Sequence, residues 1–135
     1  MARRFVNPHE LAEPKGFSHG ILVENNPILF LAGQDASDSD GNIVGKNDIL
    51  TQFTQVLENL STVVREAGGD PDDIVKLNIF VVDRQLYLDH LKSLGEIFDQ
   101  FLSHYPAMAF FEIEALYKSE ALIEMEGFAA IGSSS

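Results

Sequence analysis

A change of hydrophobic period in the middle of the chain constrains the fold more than any other feature. Phe53, Val56, Leu57, Leu60, Val63 and Val64 recur at spacings of three and four, which gathers them into one stripe on a helix of 3.6 residues per turn. Gly68-Gly69 ends that helix, since glycine readily takes the left-handed conformation that closes a helix C-terminus. Asp70-Pro71-Asp72-Asp73 reads as a turn. From Ile74 to Val82 the period falls to two, with Val75, Leu77, Ile79 and Val81 on one face. Phe80 and Val82 make the other face partly apolar, as in a strand at the centre of a sheet. A helix fed through a tight turn into a central strand is the unit of a helix-on-sheet layer.

The flanks extend this unit. Phe17 to Glu24 alternates, Asn25-Asn26-Pro27 is a turn signal, and Ile28 to Ala32 is a short run of β-formers ending at Gly33. These two strands are expected to form a hairpin. Asp35 to Asn47 is a polar loop. Its Asp38-Ser39-Asp40-Gly41-Asn42 stretch lacks the ligand spacing and terminal glutamate of a calcium loop and reads as a solvated turn. Asn47 or Asp48 can cap the first helix. Asp83 can cap a second, with a stripe of Tyr87, Leu91, Leu94, Phe98 and Phe101, stopped at His104-Tyr105-Pro106. Ala109 to Leu116 and Ala121 to Ile131 read as two further strands around Tyr117-Lys118-Ser119-Glu120.

The expected fold class is therefore α+β: a two-layer β-β-α-β-α-β-β order, with a mixed six-strand-type sheet, two helices on one face and a hairpin at either end. One domain spans residues 1–135, with 1–16 as an N-terminal extension and 132–135 as a flexible tail. Phe30, Phe80, Val82, Phe110 and Phe111 cannot all reach the helices. A second apolar sheet face implies burial against other copies of the chain.

Charge and motifs narrow the function. The net charge is −12, and only nine lysines and arginines are scattered along the chain. Nucleic acid and anionic membranes need clustered cations, so neither is an expected partner. There is no cysteine, which removes thiolate chemistry and cysteine-based zinc sites. No apolar run reaches membrane-spanning length and no signal-type apolar region follows Arg3-Arg4, so a cytoplasmic protein is expected. The four histidines lack metal-ligand spacing. No glycine-rich phosphate loop and no Gly-x-Ser-x-Gly elbow occurs. Neither a metal nor a cofactor is expected.

Several blocks together resemble the RidA (YjgF) family: Gly33-Gln34 after the second strand, Gln52-Phe53-Thr54-Gln55-Val56-Leu57-Glu58-Asn59-Leu60 on the first helix, Ala67 to Lys76, Pro106-Ala107, and Ile123-Glu124-Met125-Glu126-Gly127 on the last strand. The resemblance runs from about Gly16 to Ile131. It implies a chorismate-mutase-like fold and a homotrimer, with small-molecule ligands held in clefts between subunits. Active members hydrolyse enamines and imines to keto acids and ammonia. Some members have been called ribonucleases, which the charge here opposes.

The resemblance also marks departures. An arginine follows the Pro-Ala of the fourth strand in active members, where its planar fork suits a substrate carboxylate; here that position is Met108. Phe17 stands where tyrosine is frequent, Ala32 where a small polar residue is frequent, and Phe110 where cysteine is frequent. All four changes make the implied cleft more apolar. Ser18, Gly33 and Gln34 match family positions, and Glu124 falls on the carboxylate that active members keep near their water. The implied site is Glu124 as catalytic group, with Phe17, Ser18, Ala32, Gly33, Gln34, Met108 and Phe110 around the substrate. Arg84, Lys118, His19 or His104 could stand in for the missing arginine. Two readings remain open. One is a deaminase-type hydrolase with a more apolar cleft and weak or absent activity on 2-aminoacrylate. The other is a non-catalytic trimer that binds a small ligand or a protein.

Overall fold

The structure is a computed structural model and describes residues 3–135. The central unit forms as its sequence dictates. Helix α1 (Ile49–Glu66) starts where the Asp48 carboxylate accepts the amide hydrogens of Leu50 and Thr51. Asn47, the other candidate cap, sits instead in the left-handed region at φ 62°. The helix ends in a Schellman turn: Gly68 at φ 86° donates to Arg65 and Gly69 donates to Val64. Asp70 caps a single 3-10 turn (Pro71–Asp73), and the Asp73 carboxylate accepts back from the Asp70 amide. Strand β4 (Ile74–Val81) follows directly.

β4 is central, as its two apolar faces suggested. The large sheet has the order β3-β6-β4-β5, where β3 is Ile28–Gln34, β5 Ala107–Glu112 and β6 Ile123–Ala130. β5 runs parallel to β4, and β6 runs antiparallel to both β4 and β3. The sheet is therefore mixed, and the fold is α+β. Phe53, Val56, Leu57, Leu60 and Val64 of α1 are buried against Leu77, Ile79 and Val81 of β4 and Ile123, Met125 and Ala129 of β6. β6 can lie that close to β4 because residue 127 is glycine. A Cβ there would strike the Lys76 main chain and lie 3.1 Å from the Leu77 Cα.

Several expectations need correction. The second helix is broken into α2 (Arg84–Asp89) and α3 (Leu91–Phe101) at His90, whose Nδ1 lies 2.9 Å from the Leu86 carbonyl. Asp83 caps α2 as expected, accepting from Leu86. Neither expected hairpin exists. β2 (Gly20–Val23) pairs with β1 (Arg3–Val6) in a separate two-stranded sheet, so part of the 1–16 extension is a strand. Asn25, at φ 60°, turns the chain from that small sheet to the edge of the large one, where β3 pairs with β6. β5 and β6 are likewise separated by β4. The tail is not free: the buried Asp73 carboxylate accepts from the Gly132 and Ser134 amides and the Ser134 hydroxyl, and Ser133 is fully buried.

The sheet face away from the helices carries Phe30, Phe128, Phe80 and Phe111. Phe30 meets Phe128 edge-on at 5.1 Å and Phe80 stacks on Phe111 at 5.3 Å. Phe30 is 75 % exposed. Among the described residues no helix is long and apolar enough to cross a membrane.

Candidate functional site

The residues singled out by the sequence fall into two groups on opposite faces of the sheet. Directly paired residues of neighbouring strands point the same way. Met108 pairs with Leu77 and Phe110 with Ile79, so both face the helices. Glu124 pairs with Phe80 and faces away from them.

The first group surrounds a hollow of about 450 Å³ where β5 meets α2 and α3. Phe17, Met108 and Phe110 line it together. Phe53 and Ile79 form its inner wall, and Tyr87, Leu94 and Phe98 close it from the helices. Ser18 brings Phe17 there without entering the hollow itself. Its amide donates to the Pro106 carbonyl and its hydroxyl to the Tyr105 carbonyl at 2.7 Å, which stitches the segment onto the start of β5. Burial pushes the Tyr87 phenol up to about 12, so it stays protonated and able to donate.

The second group is built by a bulge. Leu31 pairs with Gly127 but Gln34 pairs with Met125, so β3 carries one residue more than β6 across this interval. Such a bulge re-aims its residues and takes one out of the ladder. Ala32 and Gly33 are exposed there. The Glu124 side chain lies over Gly33: a Cβ on Gly33 would come within 3.0 Å of the Glu124 Cδ. Burial raises the affinity of Glu124 for its proton, and the nearby charges of Asp35 and Glu126 raise it further. The shift runs in the direction that favours proton donation, as a general acid needs.

The proposed substitutes for arginine take other positions. Lys118 donates to the Ser37 hydroxyl and the Gly41 carbonyl, each at 2.6 Å, while Ser37 donates to the Asp35 carboxylate. It braces the loop beside Glu124 and does not reach the hollow. Arg84 is exposed at the start of α2, its amide donating to Glu112. His19 contacts the Ala12 carbonyl and sets its ring edge-on to Phe17. His104 is held between Arg3 and the Asp72 carbonyl. None of these lines the hollow, whereas Lys15 does. Gly95 of α3 also lines it. An isolated glycine inside the helical pattern of residues 91–101 was the available signal for Gly95; Lys15, in a segment without periodicity, had none. No cluster that could hold a metal ion exists among the described residues.

Comparison with known proteins fits this architecture. The sequence profile of the family described as Endoribonuclease L-PSP matches residues 8–131. A RutC family protein of Pyrococcus abyssi is 30 % identical over 131 residues, covering 96 % of this chain and 98 % of the relative. The chain belongs to the RidA/YjgF family. Among solved structures, the Rid family protein YyfB of Yersinia pestis is 36 % identical with a TM-score of 0.84, covering 97 % of this chain and all of that one. The yjgF gene product of E. coli is 27 % identical with a TM-score of 0.67, covering 84 % of this chain and 87 % of that one. The Rid fold is thus shared over almost the whole chain.

Proposed function

We propose that this Rid protein is a cofactor-free, cytoplasmic hydrolase of C=N bonds, working as a homotrimer in clefts shared between copies. The observation that carries the reading is Glu124: a carboxylate laid over Gly33 at a bulge, its proton affinity raised by burial, Asp35 and Glu126. The exposed phenylalanines around it support assembly through that face. If a neighbouring copy docks there, its own hollow can meet Glu124, and neither group need be complete in one protomer.

The chemistry asks little of the protein. An enamine takes a proton at its β-carbon to give the iminium ion, and an imine takes one at nitrogen; the protonated Glu124 donates it. The resulting carboxylate removes a proton from water as the oxygen adds to the electrophilic carbon. In the tetrahedral adduct Glu124 returns that proton to nitrogen and then takes up the hydroxyl proton as the C–N bond breaks, and ammonia and a carbonyl compound leave. One water is consumed and Glu124 ends as it began. Proton transfer by a positioned group typically contributes about 10²–10⁴-fold.

Met108 supplies no positive charge at the family's arginine position, so 2-aminoacrylate and 2-iminobutyrate should be poor substrates. Losing a buried charged contact costs about 2–5 kcal/mol. A net charge of −12 weighs against RNA as substrate. The apolar walls at Phe17, Met108 and Phe110 favour a second reading, a non-catalytic ligand-binding trimer. The deciding experiment generates imines in place with an amino-acid oxidase and follows loss of the imine against its spontaneous decay. Acceleration by the wild type that disappears in Glu124→Gln supports the hydrolase. No acceleration with any imine leaves the binding reading.

A further inference from the structure

The hollow is oversized for a three- or four-carbon acid, and its lining says what would fill it. Six aromatic rings reach it: Phe17, Phe53, Tyr87, Phe98, Tyr105 and Phe110. Tyr87 tilts against Phe110 at 4.8 Å, and Phe98 stacks on Tyr105 at 5.7 Å. Walls of this kind hold a flat ring by offset and edge contacts. Space for it comes from Gly95. Glycine is a poor helix former, yet it stands inside α3, and a Cβ there would meet nothing within 4 Å. The missing side chain leaves room in the hollow that any other residue would occupy.

The charge is equally selective. Among the described residues no carboxylate lines the hollow, and Lys15 is the one cation that does. The ion pair formed among the described residues is Arg65 with Glu58, so Lys15 is not engaged in one. Lys15 is exposed, which places its stem at the mouth. An acid entering ring-first would leave its carboxylate at the mouth beside this ammonium. In a 2-imino acid the C=N carbon is bonded to that carboxylate. It would therefore also wait at the mouth, where a neighbouring copy's Glu124 could reach it.

The geometry points to aromatic 2-imino acids as the substrate class and arylpyruvates as the products, with the ring in the hollow over Gly95 and the carboxylate on Lys15. This rests on the hydrolase reading for the chemical step, but the fit of the acid itself does not require turnover. The glycine opening and the lysine make the site differ from one built for small acids around an arginine.

The test uses calorimetric titration of the intact protein with phenylpyruvate, 2-oxobutyrate and uncharged 2-phenylethanol. Phenylpyruvate should bind at least about tenfold more tightly than 2-oxobutyrate, in keeping with burial of a ring. Lys15→Met should weaken phenylpyruvate about tenfold and leave 2-phenylethanol unchanged, and Lys15→Arg should retain the affinity. Gly95→Leu should abolish binding of both aromatic compounds while the protein melts no lower, because open space receives the new side chain and leucine favours helix. Equal affinity for the two keto acids, or an unaffected Gly95→Leu variant, would overturn the inference. Phenylpyruvate binding without imine hydrolysis would sink the hydrolase and keep the ligand class. Hydrolysis of small imines without phenylpyruvate binding would do the reverse.

Discussion

Met108 and Glu124 lie on opposite faces of one sheet, with β4 between their strands: Met108 is paired with Leu77 toward the helices, and Glu124 with Phe80 away from them. No side-chain rotation can bring them together within a protomer. On the proposed hydrolase reading, a cleft that uses both draws them from different copies, and subunit assembly becomes a condition of catalysis. Subunit mixing tests this. Glu124→Gln and Gly95→Leu should each be inactive alone. In trimers refolded from an equal mixture, a given cleft has an intact carboxylate from one copy and an intact hollow from the next about one time in four. Recovery of about a quarter of wild-type imine hydrolysis is expected, and none when the two variants are mixed without refolding. An active monomer in sedimentation would contradict the arrangement.

Glu124 should also be legible in stability against pH. Its folded-state proton affinity is raised, first by burial and then by Asp35 and Glu126. The folded state then holds the proton at pH values where the unfolded chain, near 4.5, has released it. Stability must fall as pH rises from the unfolded value through the raised folded one. Glu124→Gln removes the titration. It should melt higher than wild type near pH 8, and the gain should shrink as pH falls toward 4. Equal melting temperatures at both pH values would show that Glu124 is not desolvated in the assembled protein.

The central unit was readable because each of its signals is local. The stripe on α1, the Gly68-Gly69 stop, the Asp70 turn and the alternation of β4 lie within thirty or so consecutive residues and agree with one another. Strand partners were not readable. Alternation says that residues 20–23 form a strand, but nothing in it says whether the mate is the next strand or residues 3–6. The candidate site divided in the same way. Phe17, Met108 and Phe110 do share a hollow, since residues two apart on a strand point together. That Glu124 faces away from them depends on the register of β6 against β4, which is a tertiary fact. Lys15 was hidden because a long loop carries no period, and Ser18 looked functional although its hydroxyl is spent on the Tyr105 carbonyl.

Asp73 makes a contrasting prediction. Its burial opposes ionisation, but that effect is outweighed by hydrogen bonds from the Ser134 hydroxyl and the amides of Gly132, Asp70 and Ser134, and its proton affinity is lowered. The stabilisation is present above the unfolded carboxylate value, near 3.8, and is lost as pH falls through the lower folded one. Asp73→Asn should cost about 2 kcal/mol at pH 7 in chemical denaturation, the scale of charge-assisted hydrogen bonds to amides. Removing residues 132–135 should cost a similar amount, and the two changes together little more than either alone. Fully additive losses would mean that the tail and the carboxylate act separately.

Met108→Arg asks what the loss of the family's arginine has done to the hollow. Met108 is only half-buried and borders open space shared with Phe17 and Phe110. An arginine there can lay its stem along these apolar walls and carry the guanidinium toward the mouth, where water and a ligand carboxylate can both reach it. The variant should then keep its stability to within about 1 kcal/mol. It should also gain affinity for 2-oxobutyrate, because a planar fork now faces the small acid's carboxylate. A gain of about tenfold in titration corresponds to one favourable charged contact in a partly exposed setting. If the aromatic walls instead collapse over residue 108 in the assembled protein, the new charge is buried without a partner. The variant should then lose several kcal/mol, the scale seen when a buried charge has no counter-ion. Unchanged stability together with unchanged 2-oxobutyrate affinity would mean that position 108 does not border the ligand at all. In that case the hollow under α3, however well shaped, would not be the place where this protein meets its substrate.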